Sequence, residues 1–265
     1  MTTWHNDSGK PLSSPSWLLD HHKAKYQERI TFARSIMPDS PSCITDLGCG
    51  TGLWLEIFNE IAPEGCELIG LDSDKGSIEL AKDRAKNWKR KTRFEVVNLS
   101  KKSNIPFSDL FLAFNIFPYL KSTDDLLSNV RNKLNPNAKL IVRQYDGAAM
   151  RFGPMDSNKR LMIDNSLHTA ISNSSQFHHY DLDRVFEILS NSEFSNIDLK
   201  FEVLSKTSPY TKEFLTYYKN TIDWTKLYVN DASRKFLGLW QQDYLSESST
   251  KSSYFEEIYL VGIIS

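Results

Sequence analysis

Short apolar runs alternate along the chain with longer stretches in which apolar residues recur at helical spacing. The runs Ile44-Thr45-Asp46-Leu47, Glu67–Asp72, Arg93–Leu99, Ser108–Phe117, Lys139–Asp146, Ile197–Leu204 and Tyr254–Ile264 read as strands. Helical periods fall at Leu53–Phe58, Ile78–Trp88, 123–134 and Asp181–Ser190. Strands that alternate with helices predict a mostly parallel, doubly wound α/β sheet of seven strands. Before it, residues 1 to about 16 form a polar arm rich in Pro, Ser and Gly. A single helix is expected from Trp17 to Met37, stopped by Pro38 and Pro41. His21, His22, Lys23, Lys25 and Arg29 give that helix a basic face, read as solvated over an apolar stripe. Two helical stretches, about 151–177 and 209–245, exceed the minimal pattern. The second carries Tyr210, Phe214, Tyr217, Tyr218, Trp224, Tyr228, Phe236, Trp240 and Tyr244. The expected division is 1–37 as arm and covering helix, 38–147 as core, and 148–265 as the rest of the core with helical insertions.

The first strand breaks into Gly48-Cys49-Gly50-Thr51-Gly52 and then into a helix. Glycines let backbone approach a ligand closely, and a helix N-terminus adds unpaired N–H groups, so this stretch is a small-molecule cradle. The spacing excludes two alternatives. A dinucleotide fingerprint needs a glycine where Leu53 stands, and a phosphate loop needs a G-K-[ST] that is absent.

Asp46-x-Gly48-x-Gly50-x-Gly52 closely resembles the first motif of the class I S-adenosylmethionine (SAM)-dependent methyltransferases. The resemblance implies a Rossmann-like core in which Gly48, Cys49 and Gly50 wrap the methionine part of SAM. Asp46 would then orient the loop and the ligand's amino group. It also implies a ribose-binding carboxylate about 20 residues beyond the glycines, which is Asp72, with Ser73 beside it. Asn98 stands where the family has an aspartate for adenine; its amide oxygen retains the acceptor, and the Leu99 N–H would meet the ring. Asn115-Ile116-Phe117-Pro118-Tyr119 is similar to the N-P-P-Y motif of amino-methyltransferases, with one residue more and one proline fewer. Asn115 would sit where this fold points side chains at the transferable methyl. A leading helix covers the cofactor in the family, so Trp17, His22, Tyr26 and Arg29 are placed to reach the site.

Strand ends supply the substrate side in open α/β sheets, which nominates Arg143, Gln144 and Asp146. Arg143 suits a carboxylate of the substrate or of SAM. His179 is the candidate base, and Tyr180 a candidate to bond a carboxylate or cap the sulfonium. The helical insertions would form a lid that excludes water, most of their aromatics packing its own core.

Charge and cysteine content narrow the partners. Among 265 residues, 32 Lys and Arg face 33 Asp and Glu, a net charge of −1 that offers no electrostatic footprint for nucleic acid. The opening residues lack the charge and apolar run of a leader and no stretch suits a membrane, so a cytoplasmic protein is expected. Cys43, Cys49 and Cys66 lack metal or disulfide spacing, and Cys49 is assigned to packing. Asp72-Ser73-Asp74-Lys75-Gly76 opens like a calcium loop, but its glycine is misplaced and its closing glutamate missing. The function expected is methyl transfer to a small molecule of natural-product or amino-acid metabolism. Cyclisation of SAM to azetidine-2-carboxylate and methylthioadenosine, and non-catalytic SAM binding, are the alternatives.

Overall fold

The computed structural model describes residues 14–101, 104–146, 151–173 and 182–265. Two helices open it, α1 (Pro15–Ala24) and α2 (Tyr26–Ile36). The first half of the core follows as β1 (Cys43–Leu47), α3 (Leu53–Ile61), β2 (Glu67–Asp72), α4 (Lys75–Ala85), β3 (Thr92–Val96) and β4 (Ser108–Phe114). The second half is α5 (Thr123–Arg131), β5 (Leu134–Tyr145), β6 (Arg151–Gly153), α6 (Ser157–Ser172), α7 (Leu182–Ser190) and β7 (Ile197–Thr207). The chain then runs through α8 (Lys212–Lys226), α9 (Asp231–Leu245) and β8 (Tyr254–Ile264).

The sheet runs β3-β2-β1-β4-β5-β8, with β7 on the far side of β8. The first five strands are parallel; β8 is antiparallel to both β5 and β7. Leu47 lies opposite Leu71 on one side and Ala113 on the other, so β1, β2 and β4 end level. That register gathers Gly48, Asp72 and Asn115 at one sheet edge.

Both faces are covered, as buried parallel strands require. Leu110 and Leu112 point to the face packed with Phe32, Trp54, Phe58 and Ile78, while Phe111 and Ala113 point to the face packed with Leu126, Leu127, Val185 and Leu189. A third cluster, including Phe214, Tyr218, Leu237 and Trp240, joins α6, α8 and α9 to Phe152 and Phe255. Most insertion aromatics therefore pack the insertion's own core, as expected.

Three expectations are corrected. The sheet has eight strands and not seven among the described residues, because Arg151–Gly153 pairs with Tyr254–Glu256 and extends the line of β5 along β8. The 209–245 stretch is two helices, the second capped by the Asn230 side chain on the Ser233 N–H. The leading helix is also two helices, broken at Lys25 with φ −121° and ψ 21°.

The break at Lys25 has a polar cause. The Lys25 ammonium donates to the hydroxyls of Tyr217 (2.9 Å) and Tyr259 (2.8 Å) and to the Glu257 carboxylate, which also accepts from both tyrosines. Lys25 and Glu257 are each only 3 % exposed. The basic face is therefore not solvated: His21, His22, Lys25 and Arg29 are buried, and only Lys23 of the five is exposed. Burial pushes the Lys25 ammonium down to about 7, against the pull of Glu257.

Removing one member of a buried ion pair strands the other, which costs about 3–5 kcal/mol. Lys25→Met and Glu257→Gln are each expected to lower stability on that scale. The double variant loses less than the sum, a coupling that a denaturation double-mutant cycle reads directly. Strictly additive losses would show that the pair is not coupled.

Candidate functional site

A cavity of about 230 Å³ opens where β1, β2 and β4 end. Its floor is the glycine loop. Gly48, Gly50 and Gly52 all have positive φ (74°, 52° and 79°), and the Gly48 and Cys49 N–H groups both donate to the Leu71 carbonyl (2.7 and 3.0 Å). A Cβ on Gly48 would stand 2.3 Å from the Ile116 side chain, so only glycine fits there. At Gly50 the space beyond Cα is open to 4 Å. The loop is thus packed from below at one glycine and free at the next.

Asp72 stands on the cavity wall. Its carboxylate accepts from the Gly50 N–H (2.8 Å) and the Asp74 N–H (2.8 Å), linking the ends of β1 and β2. Burial raises its pKa, and these backbone bonds act against the rise. Asp46 lies beneath the loop and does not line the cavity. It is 2 % exposed, one carboxylate oxygen has no partner, and burial followed by the charge of Asp72 pushes its pKa up to about 8. Cys49 and Ser73 line the cavity; Cys49 is also part of the core, where burial pushes its thiol up, consistent with packing.

Asn98, Leu99 and Asn115 line the cavity as expected, but their polar groups are partly committed. The Asn98 side-chain oxygen accepts from the Ser100 N–H (3.0 Å), closing a local turn, so the acceptor expected for adenine is already engaged. Asn115 has φ 55°, donates its N–H to the Arg143 carbonyl (2.9 Å), and accepts the Tyr145 N–H on its side-chain oxygen (2.9 Å). It ties β4 to β5, leaving its amide NH₂ for the cavity.

Arg143 is placed differently from the expectation. It does not line the cavity; its guanidinium lies 3.5 Å from the centre of the Tyr259 ring and 5.1 Å from that of Phe32. Gln144 is fully buried and also behind the wall. His179 and Tyr180 lie outside the described residues.

The roof comes from α1 and α2. Trp17, His21 and Arg29 line the cavity, whereas His22 and Tyr26 do not. His22 Nδ1 meets the Arg29 guanidinium at 3.0 Å, and the Tyr26 hydroxyl donates to Glu60 (2.7 Å). Burial, then Arg29, pushes His22 down to about 3. His21 is the residue missed. The spacing of Trp17 and His21, four apart on one helical face, is the signal that would have found it. The insertions contribute Trp224, and Tyr119 and Tyr145 complete the aromatic walls.

This architecture is that of the Rossmann-like class I methyltransferases, and the comparisons agree. Residues 45–140 match the family model described as a methyltransferase domain. That segment is a methyltransferase domain. It is 26 % identical over 144 residues to a protein-lysine N-methyltransferase of Schizosaccharomyces pombe, covering 48 % of this chain and 58 % of that protein. It is 30 % identical over 102 residues to the carboxy-S-adenosyl-L-methionine synthase of Helicobacter pylori, covering 37 % and 41 %. The chain therefore spans roughly half the length of these relatives. Phosphoethanolamine N-methyltransferase 2 of Haemonchus contortus, solved with SAM, shares the fold with a TM-score of 0.58 at 15 % identity, covering 95 % of this chain and 57 % of that one.

Asp46 has a checkable titration. A free aspartate loses its proton near pH 4, and buried Asp46 keeps it to about 8. Between these values the folded protein binds the extra proton, so this group's contribution to stability falls as pH rises, by up to about 1.4 kcal/mol per unit. Asp46→Asn removes the dependence. Its melting temperature relative to wild type is expected to climb from pH 5 to pH 8; a difference independent of pH would show that Asp46 is ionised in the fold.

Proposed function

We propose that this protein transfers a methyl group from SAM to a small-molecule acceptor inside the roofed cavity. The observation that carries this reading is the coincidence, at one sheet edge, of an open glycine loop, the Asp72 carboxylate and an enclosing aromatic wall. The residues present fit the cofactor. Gly50 leaves room for close approach, and Asp72 offers a carboxylate for ribose hydroxyls. Asn98, with its oxygen engaged, and the Leu99 backbone would hold adenine less tightly than the family's aspartate.

SAM supplies an electrophilic methyl on a sulfonium. The chain's own residues then position the acceptor and exclude water. Trp17, Trp54, Tyr119, Tyr145 and Trp224 enclose the volume over the strand ends. Aromatic faces favour a cation, and a dry pocket that fixes nucleophile and methyl in line supplies much of the rate. The Asn115 NH₂, just past the end of β4, would serve acceptor orientation. A cavity of this size behind a helical roof supports a small acceptor over a polymer. No described helix is long and apolar enough to cross a membrane.

Calorimetry with SAM and its product S-adenosylhomocysteine tests the cofactor site. Asp72→Asn, which keeps the shape and removes the charge, is expected to weaken SAM binding at least tenfold with the fold retained. Unchanged affinity would move the ribose contact elsewhere. Mass spectrometry of turnover with pooled small acceptors should then yield S-adenosylhomocysteine; methylthioadenosine formed from SAM alone would replace transfer with cyclisation.

A further inference from the structure

The roof carries more unmet donors and more positive charge than the floor's ligand can use. Trp17 Nε1, His21 Nε2 and Arg29 Nε are each buried without a hydrogen-bond partner, and all three residues line the same cavity. Arg29 is held in place from behind: its guanidinium bonds His22 Nδ1 and lies 4.9 Å from the Trp54 ring centre. His21 is fixed by stacking on Tyr217, with centroids 4.6 Å apart, and by an edge contact with Trp17 at 5.2 Å. Trp17 Nε1–H and Arg29 Nε–H are desolvated donors, and neutral His21 joins them in its Nε2–H tautomer.

Charge makes the shortage of anions specific. Lys25 and Arg143 lie over the Tyr259 ring and Arg29 over the Trp54 ring, and among the described residues Glu257 is the carboxylate bonded into the group. Glu257 is consumed by Lys25 and two tyrosines. Among the described residues, neither Arg29 nor Arg143 has a carboxylate ion-pair partner, and the Arg143 Nε is unbonded as well. Burial, with Arg143 adding to it and Tyr259 and Glu257 acting against it, lowers Arg29 to about 10, and burial beside Lys25 and Arg29 keeps His21 neutral. Unpaired buried charge is costly, so an arrangement like this is completed by an anion. SAM carries one carboxylate together with an ammonium and a sulfonium. It therefore adds net positive charge to a cavity whose lining already holds the Arg29 guanidinium.

Resting on the methyltransferase reading above, we propose that Arg29, with His21 Nε2 and Trp17 Nε1, is the recognition site for an oxyanion, carboxylate or phosphate, carried by the methyl acceptor. The guanidinium fork takes two oxygens of such a group, and the indole and imidazole N–H groups take the remaining lone pairs. The surrounding rings of Trp54, Tyr145 and Trp224 suit a flat apolar body between that anion and the reacting atom.

Calorimetry on protein saturated with S-adenosylhomocysteine, whose own carboxylate is then already in place, separates the two sources of anion. Benzoate, inorganic phosphate and neutral benzamide are the probes. Benzoate or phosphate is expected to bind the loaded wild type, and benzamide not. Arg29→Gln should weaken the bound anion at least tenfold while changing S-adenosylhomocysteine affinity less than threefold, and Arg29→Lys should recover part of the loss. Trp17→Phe, which keeps an aromatic side chain and removes the N–H, should weaken it severalfold and serves if Arg29→Gln does not fold. Loss of S-adenosylhomocysteine affinity in Arg29→Gln, with no anion bound by loaded wild type, would assign the donors to the cofactor's carboxylate and overturn the proposal. Anion binding unaffected by either substitution would overturn it too. A wild type that takes no S-adenosylhomocysteine would sink the methyltransferase reading, and this proposal with it.

Discussion

One buried carboxylate holds the roof of this molecule to its floor. Glu257, near the start of β8, accepts from Lys25 at the joint between α1 and α2 and from Tyr217 on α8, with Tyr259 closing the group. The partners are about as far apart in sequence as the chain allows, 232 residues for the lysine. An apolar contact there would bury as much surface, but it would not fix where α1 ends and α2 begins. Hydrogen bonds are directional, and an ion pair without solvent tolerates little displacement before its cost returns. The angle between the two helices, and so the positions of Trp17, His21 and Arg29 over the cavity, follow from that bond set.

The floor was legible in the sequence because its rules are local. A buried strand, a positive-φ loop and a helix start leave their marks within a dozen residues, and the acid at the end of β2 comes on the next strand. Gly48, Gly50 and Asp72 are found where their spacing put them. The same locality explains the boundaries of β2 and β8, whose ends, Glu67–Asp72 and Tyr254–Ile264, coincide with the apolar runs. The eighth strand left no such mark. Three residues, Arg151–Gly153, have no period to read, and they are a strand only because β8 outruns β5 and offers an open edge.

The roof was not legible, for a physical reason. Basic residues at helical spacing are ordinarily solvated, and nothing near residues 17–37 announces that Glu257, Tyr217 and Tyr259 will arrive to cover them. Arg143 was misplaced for a related cause. Its position at a strand end is right, but its side chain leaves the sheet on the face of α2 and is taken by the Tyr259 ring. Asn98 and Asn115 sit at the predicted positions, each side-chain oxygen accepting one backbone N–H. Sequence located those side chains and missed their partners, since a turn's own N–H competes with any ligand for a short amide.

Floor and roof also differ in what they are able to vary. The loop is constrained by sterics that leave no alternative to glycine at Gly48, where Ile116 packs from below. It therefore carries what any member of this fold needs. The roof is attached through side chains of α1, α2 and α8, and residues on its cavity face change without disturbing a sheet hydrogen bond. If the cavity takes an acceptor as proposed, its selectivity belongs to the roof, because discrimination in a closed pocket comes from buried polar groups that are left unpaired by the wrong ligand. On the proposed reading Trp17, His21 and Arg29 supply such groups, each with a buried unpartnered nitrogen in a residue that lines the same cavity.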